Sequence, residues 1–246
     1  MGNLERSQSQ TDLELEYIRK QMQQSSLGGH SLEAKQAVKN KIEIQNQEWL
    51  KTFHQRADEG YKLLLKEVFQ RAQDGVISVN DEIESTTPDE YQMKNEGVEI
   101  SKNPQKLQEF LKEGGTLQKL YGFSINVMLT FYDVSKNILY DKRNNDAINS
   151  FTFLCNLNPN ITSFWISLGL AFEADQKWNE AIESYQIAIA AGPSDFSSYF
   201  SLIRCCGLIK DYSSAKEILE SASENESIKD KVKDALDYIK SKEEPK

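Results

Sequence analysis

The chain has 246 residues, with 29 Lys or Arg against 38 Asp or Glu, so its formal net charge is -9. This acidic balance, with an isoelectric point near 5.0, argues against nucleic acid as a partner, because phosphate binding needs a basic face. No stretch approaches the roughly 20 consecutive apolar residues of a membrane-spanning helix. The first residues also lack the apolar core of a secretory signal. We therefore expect no stable membrane insertion.

Residue types that support catalysis or metal binding are scarce. The two histidines are His30 and His54, and no Gly-rich phosphate loop, CxxC, HExxH or GxSxG motif is present. Cys155, Cys205 and Cys206 are too few for a disulfide framework and fit a reducing compartment. The sequence therefore predicts a cytoplasmic protein that is not an enzyme and has no cofactor and no metal ion.

The N-terminal part of the chain changes character at residue 31. Residues 1–30 are rich in Gln, Ser and charge, and we expect disorder or a transient helix there. Over 31–73 apolar residues recur at spacings of three or four, which predicts an amphipathic helical extension, with Gly60 as a candidate bend. Its apolar stripe needs a cover. Two alternatives are packing on the rest of this chain and self-association or a coiled coil with a partner.

An acidic segment follows the extension. Residues 74–101 have low apolar content, and Thr-Thr-Pro interrupts any helix, so we predict an acidic linker. The linker is either a solvated spacer or an acidic contact. With this division, a chain lacking residues 1–100 is expected to remain folded and to change its oligomeric state.

Helix start and stop signals become clear after residue 101. Asn103 and Pro104 fit the N-cap and first position of a helix that Gly114-Gly115 ends. A second short helix is predicted from Thr116 to about Tyr121. Ser124 is the predicted cap of a longer helix.

The rest of the chain repeats itself. Ala147, Ala181 and Ala215 lie 34 residues apart, which is the period of the tetratricopeptide repeat. The central copy carries the signature residues Trp165, Leu168, Gly169, Phe172, Ala181, Tyr185, Ala188 and Pro193. The predicted fold is therefore all-α: a helix–turn–helix solenoid of three tetratricopeptide repeats over 102–242. Its repeats span 128–161, 162–195 and 196–229, and a capping helix spans 228–242.

The first helix of each repeat has a second stripe besides the one that packs in the repeat. Stripe positions are spaced i, i+3, i+7 and i+10, so they share one helix face. The candidate binding residues of this stripe are Leu129, Tyr132, Lys136, Leu139, Ile166, Leu170, Phe200 and Arg204.

Most of these side chains are apolar, and an exposed apolar run of this size usually marks a binding groove. Only Lys136 and Arg204 are cationic, so an apolar, extended ligand is favoured over an acidic tail. Two occupants are consistent with the pattern: a partner peptide, or the chain's own N-terminal segment.

The stretch FLKEGGTLQKLYGFS at 110–124, followed by three repeats and a capping helix, resembles the class II chaperones of bacterial type III secretion, also called translocator chaperones. The likeness includes Phe131-Tyr132, the Phe151, Leu154 and Cys155 run, and Leu168-Gly169. It covers about residues 103–242. Residues 1–100 lie outside the usual family length, and Lys136 and Asn144 stand where relatives often have aromatic residues.

The resemblance implies a cytoplasmic, non-enzymatic chaperone of bacterial virulence. Such a chaperone binds a hydrophobic translocator or secreted protein, holds an extended segment of it in the concave groove and keeps it soluble before secretion. It also implies a homodimer through the helices before residue 128. The alternative function is a repeat scaffold or regulatory adaptor of a secretion apparatus, with residues 31–73 as its main contact.

Overall fold

The computed structural model describes residues 32–74 and 88–243. Every regular element within these residues is a helix, so the predicted all-α fold class is confirmed. The disorder predicted for residues 1–30 lies outside them. The α-helices are α1 (Leu32–Gln73), α2 (Asn95–Ser101), α3 (Pro104–Lys112), α4 (Leu117–Tyr121), α5 (Ile125–Tyr140), α6 (Asn144–Leu157), α7 (Thr162–Ala174), α8 (Trp178–Ala191), α9 (Phe196–Ile209), α10 (Ser213–Ser221) and α11 (Lys229–Glu243).

The short helices before the repeats start and stop at the residues that the sequence indicated. The side chains of Asn103, Thr116 and Ser124 each accept a hydrogen bond from a backbone N–H in the first turn of α3, α4 and α5. Gly114 and Gly122 follow the ends of α3 and α4 with φ angles of 81° and 73°, a left-handed conformation that glycine adopts at little cost. Local capping therefore sets these boundaries.

The helix pairs α5–α6, α7–α8 and α9–α10 follow one another as the three repeats. Each second helix packs on its own first helix and on the first helix of the next pair, and α11 packs on α10 at the end of the stack. Trp165 and Tyr185 are fully buried. A Cβ at Gly169 would lie 2.4 Å from the Tyr185 ring, so glycine is required where α7 and α8 cross. Trp178 is the first residue of α8.

The acidic linker predicted over 74–101 needs correction in its second half. Residues Pro88–Tyr91 form a 3-10 helix, and Asn95–Ser101 form α2. Tyr91 is buried and its ring lies 5.6 Å from that of Phe131, and a Cβ at Gly97 would collide with the backbone of α4. One aromatic anchor and one close helix crossing hold this segment on the repeats despite its acidic composition.

The extension is one continuous helix, α1, which lies antiparallel to α6. Glu67 forms an ion pair with Arg143 just before α6 (2.7 Å). Nearer the N-terminus of α1, the Phe53 ring stacks on the Trp165 ring of α7 at 5.9 Å. Gly60 is not a bend: a Cβ there would lie 2.0 Å from the carbonyl oxygen of Asn149, so this glycine lets the two helices touch. For the part of the apolar stripe from Phe53 to Val68, the structure shows the first of the two alternatives, packing on the same chain.

Helix α6 is enclosed on all sides because α1 covers its outer face. The eleven residues from Ala147 to Leu157 are all buried. Polar groups are among them: Asn149 donates a hydrogen bond to Glu59 at 2.8 Å, whereas the side-chain amide of Asn156 has no hydrogen-bond partner in the described residues. An unpartnered buried amide costs about 1–3 kcal/mol, so this contact depends on its apolar residues.

The three cysteines are free and buried, and their burial makes stability depend on pH on the alkaline side. Burial raises the pKa of Cys206 to about 11 and that of Cys205 to about 12. An unfolded thiol ionises near pH 8.5, so the unfolded state loses protons first. The free energy of unfolding should therefore fall above about pH 8.5, by up to about 1.4 kcal/mol per pH unit for each thiol.

Urea unfolding at about pH 8 and about pH 10 measures this dependence. The Cys206→Ala variant should show a shallower decrease than the parent chain, because it has one fewer thiol to ionise. Equal stability of the parent chain at both pH values would contradict the assignment.

Candidate functional site

The first helices of the three repeats, α5, α7 and α9, lie side by side. Tyr132 OH on α5 and Ser167 Oγ on α7 lie 3.0 Å apart and share a hydrogen bond. Arg204 on α9 forms an ion pair with Glu173 on α7 at 2.6 Å. These ties join the stripe positions of three helices into one surface. We call it the inner surface and define it by the eight predicted site residues: Leu129, Tyr132, Lys136, Leu139, Ile166, Leu170, Phe200 and Arg204.

Three large apolar side chains of the inner surface are exposed, one on each helix. The exposed fractions are 44% for Leu129, 38% for Leu170 and 61% for Phe200. The described part of the N-terminal segment does not cover them, because α1 packs chiefly on α6. A surface with one exposed apolar anchor per repeat can bury apolar side chains of a ligand at three points.

The other apolar residues of the inner surface pack on the core and are also partly exposed. Tyr132, Leu139 and Ile166 are half-buried. The hydrophobic core has two clusters, one formed mainly by α1 and α3–α7 and one by α8–α11, and Ile166 packs against both. The Tyr132 ring also packs against that of Phe164 at 5.5 Å. These residues form the floor of the inner surface, and the exposed ones stand above it.

Sequence reasoning missed three exposed apolar residues next to this surface: Ile125, Tyr140 and Leu208. Each lies one helical turn from a predicted position, Ile125 before Leu129, Tyr140 after Lys136 and Leu208 after Arg204. Extending the stripe by i+4 steps, which keep residues on one helix face, would have found them.

Lys136, the first cation of the inner surface, is already paired. Its ammonium group lies 2.6 Å from the carboxylate of Asp133 and 5.0 Å from the centre of the Tyr132 ring. The hydrogen bond to Asp133 raises the pKa of Lys136. This cation therefore adds little attraction for an acidic ligand.

Arg204, the second cation, is bound more firmly. Its guanidinium donates two hydrogen bonds to the Glu173 carboxylate, at 2.6 and 2.7 Å. Tyr185 OH donates a third to Glu173 at 2.6 Å. Burial, and then this hydrogen bond, hold the pKa of Tyr185 well above its usual value. The network locks α7 to α9 and neutralises the cation, which leaves the inner surface mainly apolar.

Membrane-spanning and metal-binding features are absent from residues 32–74 and 88–243. No helix there is long and apolar enough to cross a membrane. No group of three or more His, Cys, Asp or Glu side chains is placed to hold a metal ion within residues 32–74 and 88–243.

Comparison with known proteins gives matches by structure and none by sequence. No protein-family model matches the chain, and no curated protein matches it. It is similar in structure to a T3SS complex from Aeromonas hydrophila, with 22% identity over 55% of this chain and 95% of that chain and a TM-score of 0.47.

It is also similar to the type III secretion translocator chaperone SycD of Yersinia enterocolitica. Here the identity is 22% over 51% of this chain and 99% of that chain, and the TM-score is 0.42. The neighbours include type III secretion translocator chaperones. A third is PcrH, known from Pseudomonas aeruginosa, in complex with the chaperone binding region of PopD, with 18% identity over 50% of this chain and 98% of that chain and a TM-score of 0.41.

Proposed function

We propose that the chain is a cytoplasmic type III secretion chaperone that binds an extended apolar segment of a translocator or secreted protein on its inner surface. The observation that carries this proposal is the exposure of Leu129, Leu170 and Phe200 on three adjacent helices. The sequence motif at 110–124 supports the same class of protein. Free, buried cysteines fit a reducing compartment.

The proposed mechanism is sequestration. Burying one fully exposed large apolar side chain contributes about 1.5–3 kcal/mol, so the three anchors, which are already partly buried, contribute about 2–4 kcal/mol before the entropic cost of association is subtracted. The apolar side chains that the ligand itself buries must supply the rest of the binding free energy, which keeps the complex releasable. The proposed mechanism includes no catalysis, and another protein or complex would release the bound segment.

The ligand class is taken from the chain's own surface. SycD has been solved with a peptide of the translocator YopD, and PcrH with the chaperone binding regions of PopD and PopB. For this chain, a translocator segment is proposed because the cations Lys136 and Arg204 are paired internally, so the inner surface favours apolar side chains.

The rival function, a scaffold of the secretion apparatus, relied on residues 31–73 as its main contact. The apolar positions of α1 from Phe53 to Val68 are buried against this same chain, so that part of the stripe is not available to a partner. A homodimer through the helices before residue 128 stays a prediction.

Co-expression tests the proposal. The tagged full-length chain is co-expressed with hydrophobic secreted proteins encoded near its gene, and soluble complexes are purified and identified. We expect a hydrophobic secreted protein to become soluble and to co-purify. Recovery of apparatus components alone, with the secreted protein still aggregated, would support the scaffold instead.

A further inference from the structure

A cleft of about 560 Å³ lies at the C-terminal end of α9, beside the inner surface. The end of α9, the turn to α10 and the cap helix α11 form its walls. Its main lining residues are Gly207, Lys210, Asp211, Tyr212, Tyr238 and Lys242.

This cleft continues the inner surface. Gly207 follows Arg204 by three residues and Phe200 by seven, so it lies on the same face of α9. A Cβ at Gly207 would lie 2.8 Å from Tyr212 OH, so this hydroxyl sits directly over the helix face. Seven helical residues span about 10 Å, which about three residues of an extended chain also span.

The cleft has cations available to a ligand, whereas the inner surface does not. Lys242 lies 5.2 Å from the centre of the Tyr238 ring, and Lys210 has no ion pair with any described residue. The acid that lines the cleft, Asp211, already accepts hydrogen bonds from the backbone N–H and the hydroxyl of Ser213, at 3.0 and 2.6 Å. These bonds lower the pKa of Asp211, so its carboxylate stays ionised, and the two lysines still leave the lining of the cleft with a net positive charge.

The two tyrosines of the cleft add one donor, because a hydrogen bond between the Tyr212 and Tyr238 hydroxyls uses the O–H of one of them. The rings of Tyr212 and Tyr238 meet edge to face at 6.5 Å, and both hydroxyls belong to residues that line the cleft. Ammonium groups and phenol hydroxyls together are the donors that a carboxylate accepts. An apolar group would find few partners among them.

We propose that this cleft binds the carboxylate of an Asp or Glu in the same segment that occupies the inner surface, about three or four residues from the side chain that contacts Phe200. The inference rests on the proposed function, because the segment must first lie on the inner surface. It adds a direction to binding: one end of the apolar segment carries an acid and lies at the third repeat.

The test uses the full-length chain and fluorescein-labelled synthetic peptides of 12 residues, measured by fluorescence anisotropy. Leu or Val stands at alternate positions with Ser or Thr between them, since alternate residues of an extended chain face one side. The two peptides of a pair differ at one position only, which is Glu in one and Gln in the other and lies three or four residues beyond the last apolar residue. One set of pairs has this position near the N-terminus and another has it near the C-terminus. For one of the two placements of the acid, the Glu peptide should bind about 10-fold more tightly than its Gln counterpart.

Variants assign that preference to the cleft. Lys210→Gln with Lys242→Gln should bind both members of a pair equally and leave the affinity for the Gln peptide unchanged. The control is the double variant Lys119→Gln and Lys233→Gln, at exposed lysines outside the cleft. It makes the same change in charge and should keep the preference for the Glu peptide. If the parent chain binds both members equally, the cleft inference is overturned while the proposed function stands. If it binds neither, both are overturned.

Discussion

Replacing Leu170 and Phe200 with aspartate should lower the affinity for a bound apolar segment by at least about 100-fold and leave the fold intact. The exposed parts of the two side chains together contribute about 1.5–3 kcal/mol when a ligand buries them, and each 1.4 kcal/mol is about 10-fold in affinity. The new carboxylates would also lose hydration against an apolar ligand. Anisotropy with the synthetic peptides, or recovery of the co-expressed secreted protein, measures the loss.

The matched control is Ala190→Asp, at an exposed position of α8, the second helix of its repeat. It should bind normally, and all variants should melt within a few degrees of the parent chain. Ile166 is unsuitable for this test because it packs against both core clusters. Normal binding by the double variant would show that the inner surface is not the binding site, and its unfolding would place Leu170 and Phe200 in the core.

The repeats were predictable because their signature is local. Gly169 and Ala181 are small where helices cross, and Trp165 and Tyr185 fill the space between them. Such size requirements appear directly in the sequence at a fixed spacing. Helix caps such as Ser124 are predictable for the same reason, since a cap bonds to a residue three positions away.

The position of α1 could not be predicted, because an amphipathic stripe indicates burial without naming the surface that buries it. The partner surface on α6 gave no signal, since it contains Asn149, Thr152 and Asn156, which look like solvent-facing residues in sequence. Gly60 was predicted only as a bend, whereas a glycine within a helix can also allow a close crossing. Only the approach of Asn149 distinguishes them.

Which residues of the inner surface are exposed was only partly predictable. The stripe spacing placed Leu129 and Phe200 on the exposed face of their helices, where the structure has them. It placed Ile166 on the same face, although that residue packs on the core. The difference arises from neighbouring helices, whose distance from each stripe position no spacing rule contains. The second half of the linker was missed because a single residue, Tyr91, supplies its main anchor.

Removing α1 should unfold the repeats rather than release an intact domain. Phe53, Leu64 and Val68 are buried in the same core cluster as the first repeat, and at about 1.5–3 kcal/mol each they contribute about 5–9 kcal/mol. That is comparable to the whole stability of a typical domain, about 5–15 kcal/mol. A chain that starts at residue 75 should therefore be aggregated or lack a cooperative melting transition by circular dichroism. The same outcome is expected for the chain lacking residues 1–100, which the sequence led us to expect to remain folded.

A single substitution tests the same contact within the full-length chain. Gly60→Leu places a side chain where a Cβ would already lie 2.0 Å from the carbonyl oxygen of Asn149, so α1 must move away from α6. We expect a loss of at least about 3 kcal/mol in the free energy of unfolding. Lys62→Leu adds the same residue at an exposed position two residues away and should change stability by less than about 0.5 kcal/mol. Equal urea midpoints for the two variants would mean that α1 does not pack on α6 in solution.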